Sequence, residues 1–251
     1  MRKVYKIKND GLLIDCRINE YDDIIKKRMM MFEEIKEYSK YLIIEESCSK
    51  YFISKEEIIN GKIAHTDLYQ LINNIISNII NDEETLYIHS SVIQNDDKTI
   101  LVLGDFDSGK TTLSLVAANK GYSILSADQS ILLYKNNNLN IALGSKYLKI
   151  NGDEIIITNN DNLYKIDLII ELKGMCFNGD ISIEKENNFD HYIKKVSKYC
   201  TWTIQNLLFS DNHDLNLNKL NIMNFIKKMS VPLYSVRGDY EKVLSELEKL
   251  K

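Results

Sequence analysis

One short run concentrates the residues best suited to chemistry: Gly104-Asp105-Phe106-Asp107-Ser108-Gly109-Lys110-Thr111, which fits G-x-x-x-x-G-K-[ST] at every fixed position. In such a loop the glycines let the backbone curl until successive N–H groups converge on an anion in front of a helix N-terminus. The lysine reaches the outer phosphates and the threonine hydroxyl meets a magnesium ion. Asp105, Phe106, Asp107 and Ser108 form the backbone of that cradle, and Thr112 can bring a second hydroxyl to the α-phosphate. Ordinary residue usage produces the pattern in roughly one unrelated chain in a hundred. Its context here is the required one, with an apolar run before it, a helical run at 110–120 after it, and Gly121 to stop that helix. The expectation is ATP, or another nucleoside triphosphate, bound with Mg²⁺. Asp105 and Asp107 bring negative charge to the loop, which either weakens phosphate binding or points outward.

Phosphoryl transfer also needs a group that orients or deprotonates the nucleophile. Asp128, between strand-like runs at 123–126 and 130–134, is the first candidate. It is either a general base, a carboxylate of the metal shell, or the cap of a turn. His89 lies in the strand-like run 86–93 and is either beside the phosphates or a hydrogen-bonded core histidine. Glu171 ends the apolar run 166–172, where the carboxyl edge of a sheet favours a site, although a solvated carboxylate fits as well. Lys173 and Arg237 are further candidates for phosphate contact, with the solvated alternative open.

The order of these pieces resembles the HPr kinase/phosphorylase family and its related serine kinases. The carrying segments are Ile88-His89-Ser90-Ser91-Val92, the phosphate loop, Gly121-Tyr122 through Ala127-Asp128-Gln129, and Glu171-Leu172-Lys173-Gly174. The closing run Val231-Pro232-Leu233-Tyr234-Ser235-Val236 is similar to the last strand of the shorter relatives. The resemblance implies that Asp128 takes the proton of a substrate hydroxyl, that His89 and Lys110 complete the catalytic group, and that Glu171 and Thr111 hold Mg²⁺. Gln129 stands where the family has a second Asp, so the pair linked to the reverse reaction is incomplete. A one-way kinase acting on a protein, peptide or small hydroxyl compound is the expected activity. A non-catalytic nucleotide-binding regulator, and a small-molecule kinase or nucleotidase, remain as alternatives. The family also implies a homo-oligomer.

Around the site, the strand and helix pattern predicts an α/β domain with a mixed sheet over residues 85–251, and the resemblance implies that it is a P-loop domain of HPr-kinase type. A small α+β portion over residues 1–84 precedes it. Its strands are expected near residues 4–7, 13–18, 40–44 and 51–53, with a turn at Asn60-Gly61. Leu68, Leu71, Ile72, Ile75, Ile76, Ile79 and Ile80 form a helical stripe behind the N-cap candidate Thr66. Run 86–93 reads as one strand, and Pro232 suggests that the strand at 231–236 is an edge. Further helices are expected at 189–198, 220–229 and 240–250.

Bulk properties narrow the class. A net charge of −4 lacks the concentrated basic surface of a nucleic-acid binder. The 251-residue sequence contains no apolar run of membrane-spanning length, and its start lacks a signal-peptide core. A cytoplasmic protein is expected. Cys16, Cys48, Cys176 and Cys200 are unpaired in spacing and read as thiols rather than a metal cage. His65, His191, His213 and Trp202 carry no assignment beyond surface or packing.

Overall fold

The computed structural model describes the chain apart from residues 45–48, 54, 60–64, 97, 151–152, 158–161, 175–179, 201–211 and 251. Residues 20, 49–53, 55–59, 65–67, 69–71, 148–150, 153–156 and 212–217 are described by backbone alone. The Asn60-Gly61 turn, Cys48, Cys176 and Trp202 therefore lie outside the described residues, as do the side chains of His65, Thr66 and His213. The chain divides into two compact units: Met1–Asp82 with Thr201–Asn221, and Glu83–Cys200 with Ile222–Lys251.

The first unit contains β1 (Arg2–Ile7), β2 (Asp10–Cys16), α1 (Asp22–Met29), β3 (Glu34–Ile35), β4 (Lys40–Ile44), β5 (Ser49–Ile53), β6 (Lys55–Ile59) and α2 (His65–Ile80). Its strands form one sheet in the order β3-β1-β2-β4-β5-β6, with only β2 and β4 parallel among the described pairs. The helical stripe behaves as its period requires, since Leu68, Ile72, Ile75, Ile76 and Ile80 are all buried.

The second unit carries β7 (Thr85–His89), β8 (Ser91–Gln94), β9 (Thr99–Gly104), α3 (Lys110–Asn119), β10 (Ser123–Ser126), β11 (Gln129–Lys135) and β12 (Asn138–Gly144). The hairpin β13 (Tyr147–Ile150) and β14 (Asp153–Ile156) follows, then β15 (Tyr164–Lys165), β16 (Leu168–Leu172), β17 (Ser182–Lys185) and α4 (Phe189–Lys198). Helix α5 (Asn212–Lys228) begins in the first unit and, from Ile222 onward, belongs to the second. The chain ends with β18 (Leu233–Arg237) and α6 (Tyr240–Lys249).

The six-stranded sheet of the second unit runs β10-β8-β9-β16-β18-β17, parallel at β9–β16 and β16–β18 and antiparallel elsewhere. A second, antiparallel sheet runs β15-β12-β11-β7. The unit is thus mixed α/β.

β9 and β16 are buried along their whole lengths, as expected of strands covered on both faces. One cluster, including Leu101, Leu103, Ile169, Ile193 and Phe225, packs on one side. Another, including Val102, Leu113, Ala117, Val243, Leu244 and Leu247, packs α3 and α6 on the other. Helix α3 ends at the expected glycine. Gly121 has φ +91°, and the N–H groups of Gly121 and Tyr122 bond back to Ala118 and Ala117.

Two expectations are corrected. Residues 86–93 are two strands in two different sheets, broken at Ser90. The strand after Pro232 is internal, between β16 and β17. The proline precedes it and needs no ladder N–H, while its carbonyl accepts from Ile169 N at 2.9 Å. Among the described residues, no helix is long and apolar enough to cross a membrane.

Candidate functional site

The chain passes from one sheet of the second unit to the other at two neighbouring places. β7 ends at His89 in the four-stranded sheet, and β8 begins at Ser91 in the six-stranded one. In the other direction, β10 ends at Ser126 and β11 begins at Gln129, directly opposite His89. Small polar residues hold the crossings together. Ser90 N donates to Asp128 O at 3.0 Å, Ser90 Oγ donates to Ser130 Oγ at 2.8 Å, and Ser91 Oγ donates to Ala127 O at 2.7 Å. His89 and Asp128, distant in sequence, are brought side by side, with Nε2 and Oδ1 3.0 Å apart.

Asp128 is held from several directions. Gln129 Nε2 donates to its Oδ2 at 2.7 Å, and its own N–H donates to Ser145 Oγ at 2.8 Å. The same hydroxyl accepts from Gln129 N at 3.2 Å. Each oxygen of a carboxylate offers two lone pairs, so an oxygen can accept from more than one donor. The side chain is 33% exposed, enough for an incoming group to reach it.

The loop from Gly104 to Lys110 joins the end of β9 to the start of α3. Gly109 has φ +94° and Asp107 φ +59°, both left-handed; glycine adopts that region freely, and aspartate is among the side chains that tolerate it. Lys110 is 8% exposed and donates through Nζ to the carbonyls of Gly104 and Asp105 at 2.7 and 3.0 Å. Burial pushes its pKa down, and the charges of Asp128, Asp105 and Asp107 oppose that shift. Phe106 is 63% exposed, and its ring centroid lies 5.0 Å from that of His89.

Loop and crossings open on one cavity of about 330 Å³, lined by His89, Phe106, Asp107, Ser108, Gly109, Lys110, Thr111, Thr112 and Asp128. Gly104 and Asp105 are outside this lining. Asp105, which carries one of the charges of concern in the sequence, pairs with Lys198 at 2.6 Å. Asp107 is exposed. The cavity can admit a polyanion against Lys110 and the helix N-terminus, with a carboxylate–imidazole pair facing it.

Glu171 is not among the lining residues. It is 2% exposed, accepts from Tyr199 Oη at 3.0 Å and Ser235 Oγ at 3.3 Å, and pairs with Lys173 at 2.6 Å. That network accounts for Lys173 as well. Arg237 and His191 are exposed and also outside the lining. Cys16 and Cys200 are buried free thiols.

Three contributors carry no motif signal. Gln129 reads in the sequence as a missing carboxylate, yet its amide donates to Asp128. Ser145 lies far along the chain, and only the β11–β12 pairing brings it to Asp128. Tyr240, in the last helix, donates to Ser108 O at 3.0 Å.

No family model matches the chain, and no curated protein matches it. Among solved structures it is similar to the Hpr(Ser) kinase/phosphatase from Coxiella burnetii, with 16% identity, 65% of this chain and 92% of that chain covered, and a TM-score of 0.36.

Proposed function

We propose that the second unit, Glu83–Cys200 with Ile222–Lys251, is a P-loop phosphotransferase of HPr-kinase-related type. It would move the γ-phosphoryl group of ATP to a serine or similar hydroxyl of a protein, peptide or small molecule. The observation that carries this reading is a cavity bounded both by the consensus loop and by the His89–Asp128 pair.

In this mechanism, the loop N–H groups and Lys110 bind the phosphates. The acceptor hydroxyl gives its proton to a lone pair of Asp128 as its oxygen bonds to the γ-phosphorus. The bond from that phosphorus to the β–γ bridging oxygen breaks, and ADP leaves. His89 and Gln129 keep the carboxylate aimed, and Lys110 offsets the charge on the transferring group.

A Mg²⁺ ion fits the oxygen donors here. Thr111 and Asp128 both line the cavity, and Mg²⁺ is usually held by few protein ligands, with phosphates and water completing its shell. Among the described residues, no three His, Cys, Asp or Glu converge as a separate cage. Thr111 would hold the ion, which supplies charge neutralisation on the phosphates. Glu171, buried and outside the cavity lining, would serve instead to hold Tyr199, whose carbonyl accepts from His89 N at 2.9 Å.

One observation favours a nucleotide-binding regulator without catalysis: both oxygens of Asp128 already accept hydrogen bonds. Asp128→Asn separates the two readings. As a general base, its loss lowers turnover about 10²–10⁴-fold while Mg-ATP affinity stays near wild type. Unchanged turnover in that variant removes the base assignment, and a wild type that binds ATP without ever cleaving it supports the regulator.

A further inference from the structure

The last helix sends a side chain against the phosphate loop from outside it. Tyr240 opens α6, is 3% exposed, and donates its hydroxyl to the Ser108 carbonyl at 3.0 Å. The same hydroxyl lies so close to Gly109 that a Cβ there would meet it at 1.8 Å, with the ring carbon Cζ at 2.8 Å. Glycine at 109 is therefore required twice, by its left-handed φ and by the tyrosine pressed against it.

The peptide joining Ser108 to Gly109 is trans, since the described chain has no cis bond. In a trans peptide the carbonyl and the following N–H point to opposite sides. A carbonyl drawn toward Tyr240 thus turns the Gly109 N–H away from the tyrosine. Ser108, Gly109 and Lys110 line the cavity, and Tyr240 is outside that lining.

Tyr240 is itself fixed at its position. Asp239 caps α6 by accepting from Lys242 N at 3.1 Å. Gly238, at φ +136°, packs so tightly that a Cβ would meet Asp180 O at 2.5 Å. Val243, Leu244 and Leu247 are buried in the cluster that contains Leu113 and Ala117 of α3. At the far end of α6, Tyr122 Oη donates to Glu248 Oε1 at 2.7 Å, and Lys98 Nζ donates to the Leu247 and Glu248 carbonyls at 2.9 and 2.8 Å.

We infer that Tyr240 is a positioning residue for phosphate binding: through Ser108 O it sets the Ser108–Gly109 peptide so that the Gly109 N–H faces the bound phosphates. The inference rests on the nucleotide reading given above. It adds the C-terminal helix to the machinery that shapes the loop.

Tyr240→Phe removes the hydroxyl and keeps the ring. One lost orienting hydrogen bond predicts Mg-ATP and inorganic pyrophosphate affinities weaker by about three- to tenfold. KM for ATP rises by the same factor, kcat changes less, and the Gly109 amide resonance of the ligand-free protein shifts. Pyrophosphate lacks the base and sugar, so a matching loss for both ligands locates the effect at the phosphates. Equal affinities in wild type and Tyr240→Phe overturn the inference alone, including the case in which only thermal stability falls. A wild type that binds neither ligand overturns the nucleotide reading and this inference with it.

Discussion

Lys110 sits at the meeting point of opposed forces: burial disfavours its charge, while Asp128, Asp105 and Asp107 favour it. Its folded pKa is lowered from 10.5, so the unfolded chain holds this proton more tightly. The sign follows directly. The buried charge costs stability at neutral pH, and that cost is relieved as pH rises through the folded pKa toward 10.5. Lys110→Met should therefore retain the fold without nucleotide and lose Mg-ATP binding. Urea denaturation checks both parts: saturating Mg-ATP, at about 100 times Kd, adds about 2.7 kcal/mol to wild type and nothing to the variant. A variant stabilised as much as wild type would show that Lys110 does not contact the nucleotide. The loop, His89 and Asp128 are legible in the sequence because residue type and order alone select them. Gln129 and Ser145 are not, since the first acts through the rotamer that turns its amide onto the neighbouring Asp128, and the second reaches Asp128 only through sheet pairing.

At the scale of elements, the site depends on strands that change sheets. Periodicity reads residues 86–93 as apolar and extended, which is correct for both β7 and β8. It carries no information on which neighbour each half pairs with, so the break at Ser90 stays hidden. The proline rule fails at 232 for a related reason: the residue lies just before the strand, where a missing N–H has no consequence. Gly144 tests this layer. A Cβ there would meet Leu125 O at 2.3 Å and Ser126 Cβ at 2.5 Å. Gly144→Ala should cost about 1–3 kcal/mol by overpacking and displace the adjacent Ser145, lowering turnover as well. Chemical denaturation with parallel activity measurements reads both effects, and a variant normal in each would contradict the role given to this crossing. Leu101→Ala, deep in β9, should cost about 2–5 kcal/mol by the same denaturation measurement.

At the scale of the whole molecule, the acidic run that ends α2 points to a boundary after residue 84. Composition holds no sign that Thr201–Asn221 returns to the first unit, because such a return shows in contacts and not in residue type. The proposed site draws only on residues of the second unit. Hydrogen exchange read by mass spectrometry should show Mg-ATP protecting segments 104–112 and 126–130, with residues 2–16 unchanged. Protection centred on residues 2–16 would place the ligand elsewhere. The most direct test of the central claim is mass spectrometry of candidate acceptors, including peptides and proteins encoded beside this gene, after incubation with Mg-ATP. Wild type, Lys110→Ala and Asp128→Asn would be run together. The account predicts that an acceptor gains the mass of one phosphate with wild type alone; an equal gain with Asp128→Asn, or a wild type that leaves both ATP and every acceptor unchanged, would contradict it.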